Sequence, residues 1–251
     1  MNQPLYKIVN QNDPLAIYGY KIVSHNKKDL FPSVKKEFEN YICRSITDFN
    51  PDIDLDGFKL ENFHKILEKN KISHHDFISS ISRDVSTIFL EHPFFLQLLE
   101  DAFEATGLKF QIYKNKIELR VVRPHNEDNN SLHRDHWFPY FTPLMNVYLP
   151  ICGSNYDSAM CVVPFSHKWE ESDVTPTFSF EESQKGAKTI KNGVAYSVPE
   201  IKESKKEIIP HRPDIVYGDF MLFSPLMVHG GGTNSSIDTR FSFEFRLEQV
   251  E

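Results

Sequence analysis

The stretch YGDFMLFSPLMVHGGGTNSSIDTRFSFEFRL, residues 217–247, decides the fold. Its last segment, Phe241–Leu247, alternates apolar and polar residues strictly, which is the pattern of a β-strand with one buried face. Phe220–Phe223 follows Gly218-Asp219 and reads as a second strand. Working outward, Ile117–Val122 runs into Pro124, Leu144–Leu149 into Pro150 and Met160–Val163 into Pro164, while Ile208–Tyr217 is interrupted by two prolines. Short strands separated by Pro-, Gly- and Asn-rich turns predict a sandwich or barrel from Lys109 onward.

The first ~110 residues follow a different period. Residues 58–107 carry helical patterning. In Val85–Phe103 the apolar residues Ile88, Phe89, Phe94, Phe95, Leu98, Leu99 and Phe103 recur at three- and four-residue steps. Pro93 is placed to open the last helix and Gly107 to close it. Asp29–Cys43 shows a weaker helical pattern. Residues 168–206 are polar and lysine-rich (SQKGAK, KESKKE) and read as a surface excursion that could serve as a lid. The expectation is a single domain over 1–251: a mostly helical support in 1–110, and a β core in 111–251 with the 168–206 insertion.

Composition narrows the classes. The chain has 251 residues, 40% hydrophobic and 25% charged, with a net charge of −7 and 21 phenylalanines against 10 glycines. Disordered and collagenous readings are excluded. The acidic balance argues against nucleic acid or an anionic membrane as the main partner. Cys43, Cys152 and Cys161 lack CxxC spacing, so a thiolate metal site is not expected. The N-terminus MNQPLYKIVNQNDP has no apolar secretory region, and the longest apolar runs are too short to span a bilayer. The expected compartment is the cytoplasm.

Three places carry chemistry. His133 and Asp135 lie two apart in SLHRDHWFPYF. On a strand they would share a face, and an imidazole beside a carboxylate can hold a divalent metal. His229 is the natural third ligand. Two histidines and one carboxylate on one face leave coordination positions open, as non-haem Fe(II) oxygenases require for an oxo-acid cosubstrate and O2. Arg240 follows His229 by eleven residues, and Ser242 lies two further on. A guanidinium fork with a hydroxyl beside it suits the distal carboxylate of 2-oxoglutarate.

These residues resemble the phytanoyl-CoA dioxygenase family of Fe(II)/2-oxoglutarate-dependent oxygenases. The family shows H-x-D, a "PGSH" turn, "GD…H", and an Arg eleven residues after the distal His. Here they correspond to His133-x-Asp135, Pro164-Phe165-Ser166-His167 with Phe in place of Gly, Gly218-Asp219 with His229, and Arg240. The resemblance covers about residues 116–248. It implies a mainly β fold, the double-stranded β-helix (jelly roll, cupin-like), flanked by the N-terminal α-helices. It places the metal on His133, Asp135 and His229, and 2-oxoglutarate on Arg240 and Ser242. Because Asp135 is retained where related halogenases have a small residue, it implies hydroxylation or another oxidation. Its chemistry is oxidative decarboxylation of 2-oxoglutarate by O2 to succinate, coupled to hydrogen removal from a substrate.

Competing readings are weaker. H-x-D alone is as easily a surface hydrogen bond. A kinase loop opening at His133-Arg134-Asp135 would need Asn where Tyr140 stands. Gly230–Gly232 lacks the Lys-Ser/Thr of a phosphate loop, and is read instead as a sharp turn after a metal ligand. Asn146, polar within an apolar strand, is a second contact to 2-oxoglutarate or a structural hydrogen bond. Arg120 and Arg123 fall on opposite strand faces, and Arg120 is favoured as the inward one, placed to meet the anionic cosubstrate or a substrate. Trp137, Tyr140, Arg123 and His167 are substrate-contact readings, set against ordinary core or turn roles. The substrate expected is a small molecule, with a lean toward a polar or anionic one. The alternatives are a cupin-like metal-dependent isomerase or hydrolase without 2-oxoglutarate, and a non-catalytic small-molecule-binding module of the same fold.

Overall fold

A computed structural model describes residues 4–7, 9–82, 84–128, 130–191 and 194–250. Met1–Gln3 and Ile8 of the quoted N-terminus, and Asn192 and Gly193 of the predicted lid, lie outside the described residues. The helices are α1 (Pro14–Tyr18), α2 (Phe31–Phe49), α3 (Phe63–Lys69), α4 (His74–Ile81), α5 (Val85–Phe89), α6 (Pro93–Thr106) and α7 (Phe180–Gln184). The strands are β1 (Tyr20–Val23), β2 (Phe110–Val122), β3 (Met145–Cys152), β4 (Cys161–Val162), β5 (Val174–Pro176), β6 (Thr189–Lys191), β7 (Val194–Tyr196), β8 (Ile201–Ser204), β9 (Phe220–Phe223), β10 (His229–Gly230) and β11 (Arg240–Gln249).

The helix signals behave as their chemistry dictates. Pro93 sits in the first turn of α6, where its missing N–H costs nothing, and His92 Nδ1 accepts from the Phe94 N–H at 3.1 Å. Gly107 ends the helix at φ 74°, a left-handed conformation that suits glycine. The Val85–Phe103 pattern divides into α5 and α6, and Phe103 is exposed. Helix α2 buries Phe31, Val34, Phe38, Tyr41, Ile42 and Ile46 on one face.

The main sheet has the order β1-β9-β3-β11-β2, with antiparallel pairing throughout. A smaller sheet faces it, built on β4-β10 and extended by bridges Glu127↔Thr233, His133↔His229 and Val162↔His211. Together they form the double-stranded β-helix. Pro150 does not end β3. The strand continues to Cys152 through a register shift at Ile151, because β9 pairs only with Asn146–Tyr148 and no second ladder needs the missing N–H at Pro150. Ile208–Tyr217 is not a strand; among its described residues only His211 and Tyr217 bridge. The 168–206 stretch is built of short paired strands, β5 with β8 and β6 with β7, plus α7. No helix among the described residues is long and apolar enough to cross a membrane.

The alternation in FSFEFRL sorts β11 into two faces. Phe241, Phe243, Phe245 and Leu247 pack outward against the helices, while Arg240, Ser242, Glu244 and Arg246 face the interior between the sheets. The Phe38 ring lies 5.4 Å from Phe241 and 5.2 Å from Phe243, both edge-on. Phe63 meets Phe241 at 5.3 Å, and Phe89 meets Phe243 at 5.4 Å. Edge-to-face contacts of this kind add to the burial of each ring. Phe38 is fully buried at this junction. Phe38→Ala is expected to cost about 3–5 kcal/mol of stability, the usual penalty for emptying a phenylalanine site. Urea denaturation of the two proteins checks this. A loss below about 1 kcal/mol would show that the helices do not brace the sheet through this ring.

Candidate metal centre

The bridge His133↔His229 crosses the smaller sheet, each residue's N–H donating to the other's carbonyl at 2.8 and 3.0 Å. It sets the two imidazoles side by side, with ring centroids 4.4 Å apart. Asp135 comes from a 3-10 turn over Asp135–Trp137 and not from a strand, so the expected same-face geometry is produced by the turn. One ligand atom from each of His133, Asp135 and His229 lies within 4.8 Å of the others, and all three residues are buried.

The donor set is polarised as a metal requires. His133 Nδ1 faces the Ser131 carbonyl at 2.7 Å, and His229 Nδ1 faces the Met227 carbonyl at 2.9 Å. A carbonyl only accepts, so each Nδ1 carries the proton and each Nε2 offers a lone pair. These two Nε2 atoms lie 3.3 and 3.9 Å from Asp135 Oδ1. Burial, reinforced by the neighbouring His133 ring, pushes His229 down to about 3, so the imidazole is neutral. Burial pushes the Asp135 carboxyl up, but the Arg246 guanidinium beside it outweighs this and the group is held well below the usual range.

The triad opens onto a cavity of about 330 Å³, lined also by Arg120, Asn146, Phe223, Glu244 and Arg246. The lining also includes the aromatic residues Phe138, Tyr140 and Phe141, and Ser183, Gln184, Lys188, Ser197 and Val198 of the 168–206 stretch. That stretch therefore walls the cavity. Asn146 Nδ2 donates to Asp135 Oδ2 at 3.0 Å, while its Oδ1 is buried without a partner among the described residues. Arg120 lines the cavity, but its guanidinium is tied to Glu244 and Glu118, each at 3.0 Å.

Arg240 and Ser242 lie on the inward face of β11, fully buried and outside the cavity lining. Arg240 donates to the Ser158 carbonyl at 2.8 Å and to Asp128 Oδ2 at 2.5 Å. Arg240 Nε and Ser242 Oγ are buried without hydrogen-bond partners among the described residues. Burial raises the Asp128 carboxyl, but Arg240 and Arg120 outweigh it and keep it ionised.

Three sequence readings are corrected by position. Trp137 does not line the cavity; its ring packs with Val163, Val174 and Val228. Arg123 points away from it and meets Asn126 Oδ1 at 3.4 Å. His167 is buried beneath the N-terminal segment, its Nε2 3.2 Å from the Ala16 carbonyl. The PFSH turn thus braces the fold here. Gly230–Gly232 is also not a left-handed turn. A Cβ would meet the Ser131 carbonyl at 2.5 Å from Gly230, the Asp128 side chain at 1.7 Å from Gly231, and Arg212 at 2.7 Å from Gly232. These glycines allow close approach of neighbouring segments.

Sequence reasoning missed Arg246, whose Nε and Nη2 both reach Asp135 Oδ2, at 3.0 and 2.7 Å. The strict alternation after Arg240 was the available signal, since it places Glu244 and Arg246 on the same face as Arg240 and Ser242.

Fold and site together define a candidate mononuclear metal centre in a double-stranded β-helix. The chain belongs to the phytanoyl-CoA dioxygenase family, whose model matches residues 34–242. Family membership brings Fe(II), 2-oxoglutarate and O2 as cofactors, and the two imidazoles and one carboxylate fit the iron. A curated relative, dioxygenase aneA of Aspergillus aculeatus, is 28% identical over 161 residues, covering 59% of this chain and 43% of the relative. The chain thus spans less than half of that relative's length. Among solved structures, the non-heme monooxygenase ThoJ matches with a TM-score of 0.52 at 14% identity, over 94% of this chain and 76% of its own. AviO1 from Streptomyces viridochromogenes matches with a TM-score of 0.52 at 14% identity, over 94% of this chain and 91% of its own. These two likenesses carry the fold.

Burial also sets a pH dependence. It pushes His167 down to about 4 and His229 to about 3. Between these values and about 6.5 the unfolded chain takes up protons that the folded protein refuses. Stability of the metal-free protein is therefore expected to be full above about pH 6.5 and to fall as the pH drops toward 4. Urea midpoints at pH 7.5 and 5.0 check the sign, and His167→Gln is expected to reduce the difference. A higher midpoint at pH 5.0 would contradict it.

Proposed function

We propose that this protein is a mononuclear non-haem Fe(II)- and 2-oxoglutarate-dependent oxygenase that hydroxylates a small molecule, with release of succinate and CO2. The observation that carries the proposal is the triad: two Nε2 lone pairs and one free carboxylate oxygen converge beside a cavity, leaving room for further ligands. When bound, iron with 2-oxoglutarate and O2 supplies the oxidising power for removing hydrogen from a substrate. The protein's part is to place the reactants and exclude water.

We assign the distal carboxylate of 2-oxoglutarate to Arg240 and Ser242. Supporting this are the two buried polar atoms without partners on one strand face, Arg240 Nε and Ser242 Oγ. Asn146, with its unpartnered Oδ1 in the cavity wall, is assigned a supporting contact, and inward-facing Arg120 a secondary electrostatic one. Tyr140 lines the cavity and is assigned to the substrate, with Lys188, also in the lining, as the cation for a polar or anionic group. Asp135 supplies the carboxylate ligand that favours hydroxylation over halogenation. The chain is read as one domain, with residues 1–110 supporting the β-helix and 168–206 covering its opening.

One observation favours a second reading. Asp128 already occupies part of the Arg240 guanidinium, which would suit a cupin-like metal enzyme that uses no 2-oxoglutarate. A succinate-release assay with Fe(II), O2 and 2-oxoglutarate separates the two. Asp135→Ala and His229→Ala are expected to abolish release. Arg240→Ala is expected to raise the 2-oxoglutarate concentration for half-maximal release by about 10–100-fold, as for loss of hydrogen bonds to a charged group. An unchanged requirement in Arg240→Ala would remove Arg240 from the cosubstrate site, and succinate release in Asp135→Ala would remove Asp135 from the metal.

A further inference from the structure

Asp135 has two unlike oxygens. Oδ1 faces the Nε2 atoms of His133 and His229. Oδ2 accepts three hydrogen bonds, one from Asn146 Nδ2 at 3.0 Å and two from Arg246, Nε at 3.0 Å and Nη2 at 2.7 Å. Arg246 and Asn146 are a cross-strand pair between β11 and β3, so sheet register sets both donors. Arg246 is itself fixed from behind: its guanidinium carbon lies 3.8 Å from the centroid of the Phe141 ring, and Nη1 lies 4.0 Å from Glu118 Oε1.

Building on the metal reading above, we propose that Arg246 is a positioning residue that occupies the outer oxygen of Asp135 and fixes this carboxylate as a one-oxygen metal ligand. A free carboxylate can rotate or ligate through both oxygens. Either would misplace the third ligand or fill a position that a cosubstrate needs. Three donors saturate Oδ2 and leave Oδ1 as the only oxygen directed at the histidines. Lysine could replace the charge but not the fork, because its donors radiate from a single nitrogen. The contact with Phe141 also joins this clamp to the aromatic wall of the cavity.

The test uses Co(II) as the probe, titrated into the metal-free full-length protein and followed by calorimetry and by its d–d absorption bands. Arg246→Met is expected to bind Co(II) about 10–100-fold more weakly, the usual cost of removing a group that orients a metal ligand, and to shift the bands. Arg246→Lys keeps the cation beside Glu118. It is expected to fold as wild type, to bind Co(II) with intermediate affinity, and to show shifted bands, which a purely structural role for the charge would not produce. If Arg246→Met does not fold, Arg246→Lys decides alone. Wild-type affinity, within twofold, and superimposable bands in a folded Arg246→Lys would overturn the inference while leaving the metal site standing. Wild-type protein that takes up no Co(II) would overturn the metal reading and this inference with it.

Discussion

The two-residue period of β11 is the constraint on which the rest depends. Its odd-numbered positions from Phe241 to Leu247 bury apolar groups against the helices, and its even-numbered positions from Arg240 to Arg246 carry the interior polar groups. A slip of one residue would exchange the faces, putting phenylalanines into the cavity and charges into the core. The helical third of the chain therefore does more than cover a sheet. By locking Phe241 and Phe243 between Phe38, Phe63 and Phe89, it fixes the register that delivers Arg246 to Asp135.

The interior charges form a chain of pairs. Glu244 meets Arg120, Arg120 meets Glu118, Glu118 approaches Arg246, and Arg246 holds Asp135. Asp128 and Arg240 form a second pair deeper in the fold. Buried charges are tolerated when partnered, and removing one partner strands the other at a cost of about 3–5 kcal/mol. Such a network holds the Asp135 carboxylate more firmly than any single contact. It also makes the whole-chain charge of −7 a poor guide to the site, where carboxylates and guanidiniums are matched locally.

The candidate metal ligands were legible because few residue types can do such work. His133, Asp135 and His229 stand in order, at spacings that a metal centre and the resembled family share. The strand at Phe241–Leu247 was legible because alternation survives in any tertiary context. What the sequence hid was pairing across segments. Nothing local shows that Asp128 turns toward Arg240, or that Gly231 lacks a side chain to make room for Asp128. Arg246 was hidden for the same reason: its partner lies 111 residues away and is reached only through sheet register. Ile208–Tyr217 misled because apolar residues between prolines resemble a strand, whereas a strand forms only where a partner backbone is within reach.

The most direct test of the account is an anaerobic titration of 2-oxoglutarate into the Fe(II)-loaded protein, followed in the visible spectrum. Chelation of iron by the keto-acid end gives a charge-transfer absorption. The account predicts that this absorption saturates at one 2-oxoglutarate per iron-loaded chain and is absent in His229→Ala. Iron bound tightly at one per chain, with no change in absorption at any 2-oxoglutarate concentration, would contradict it.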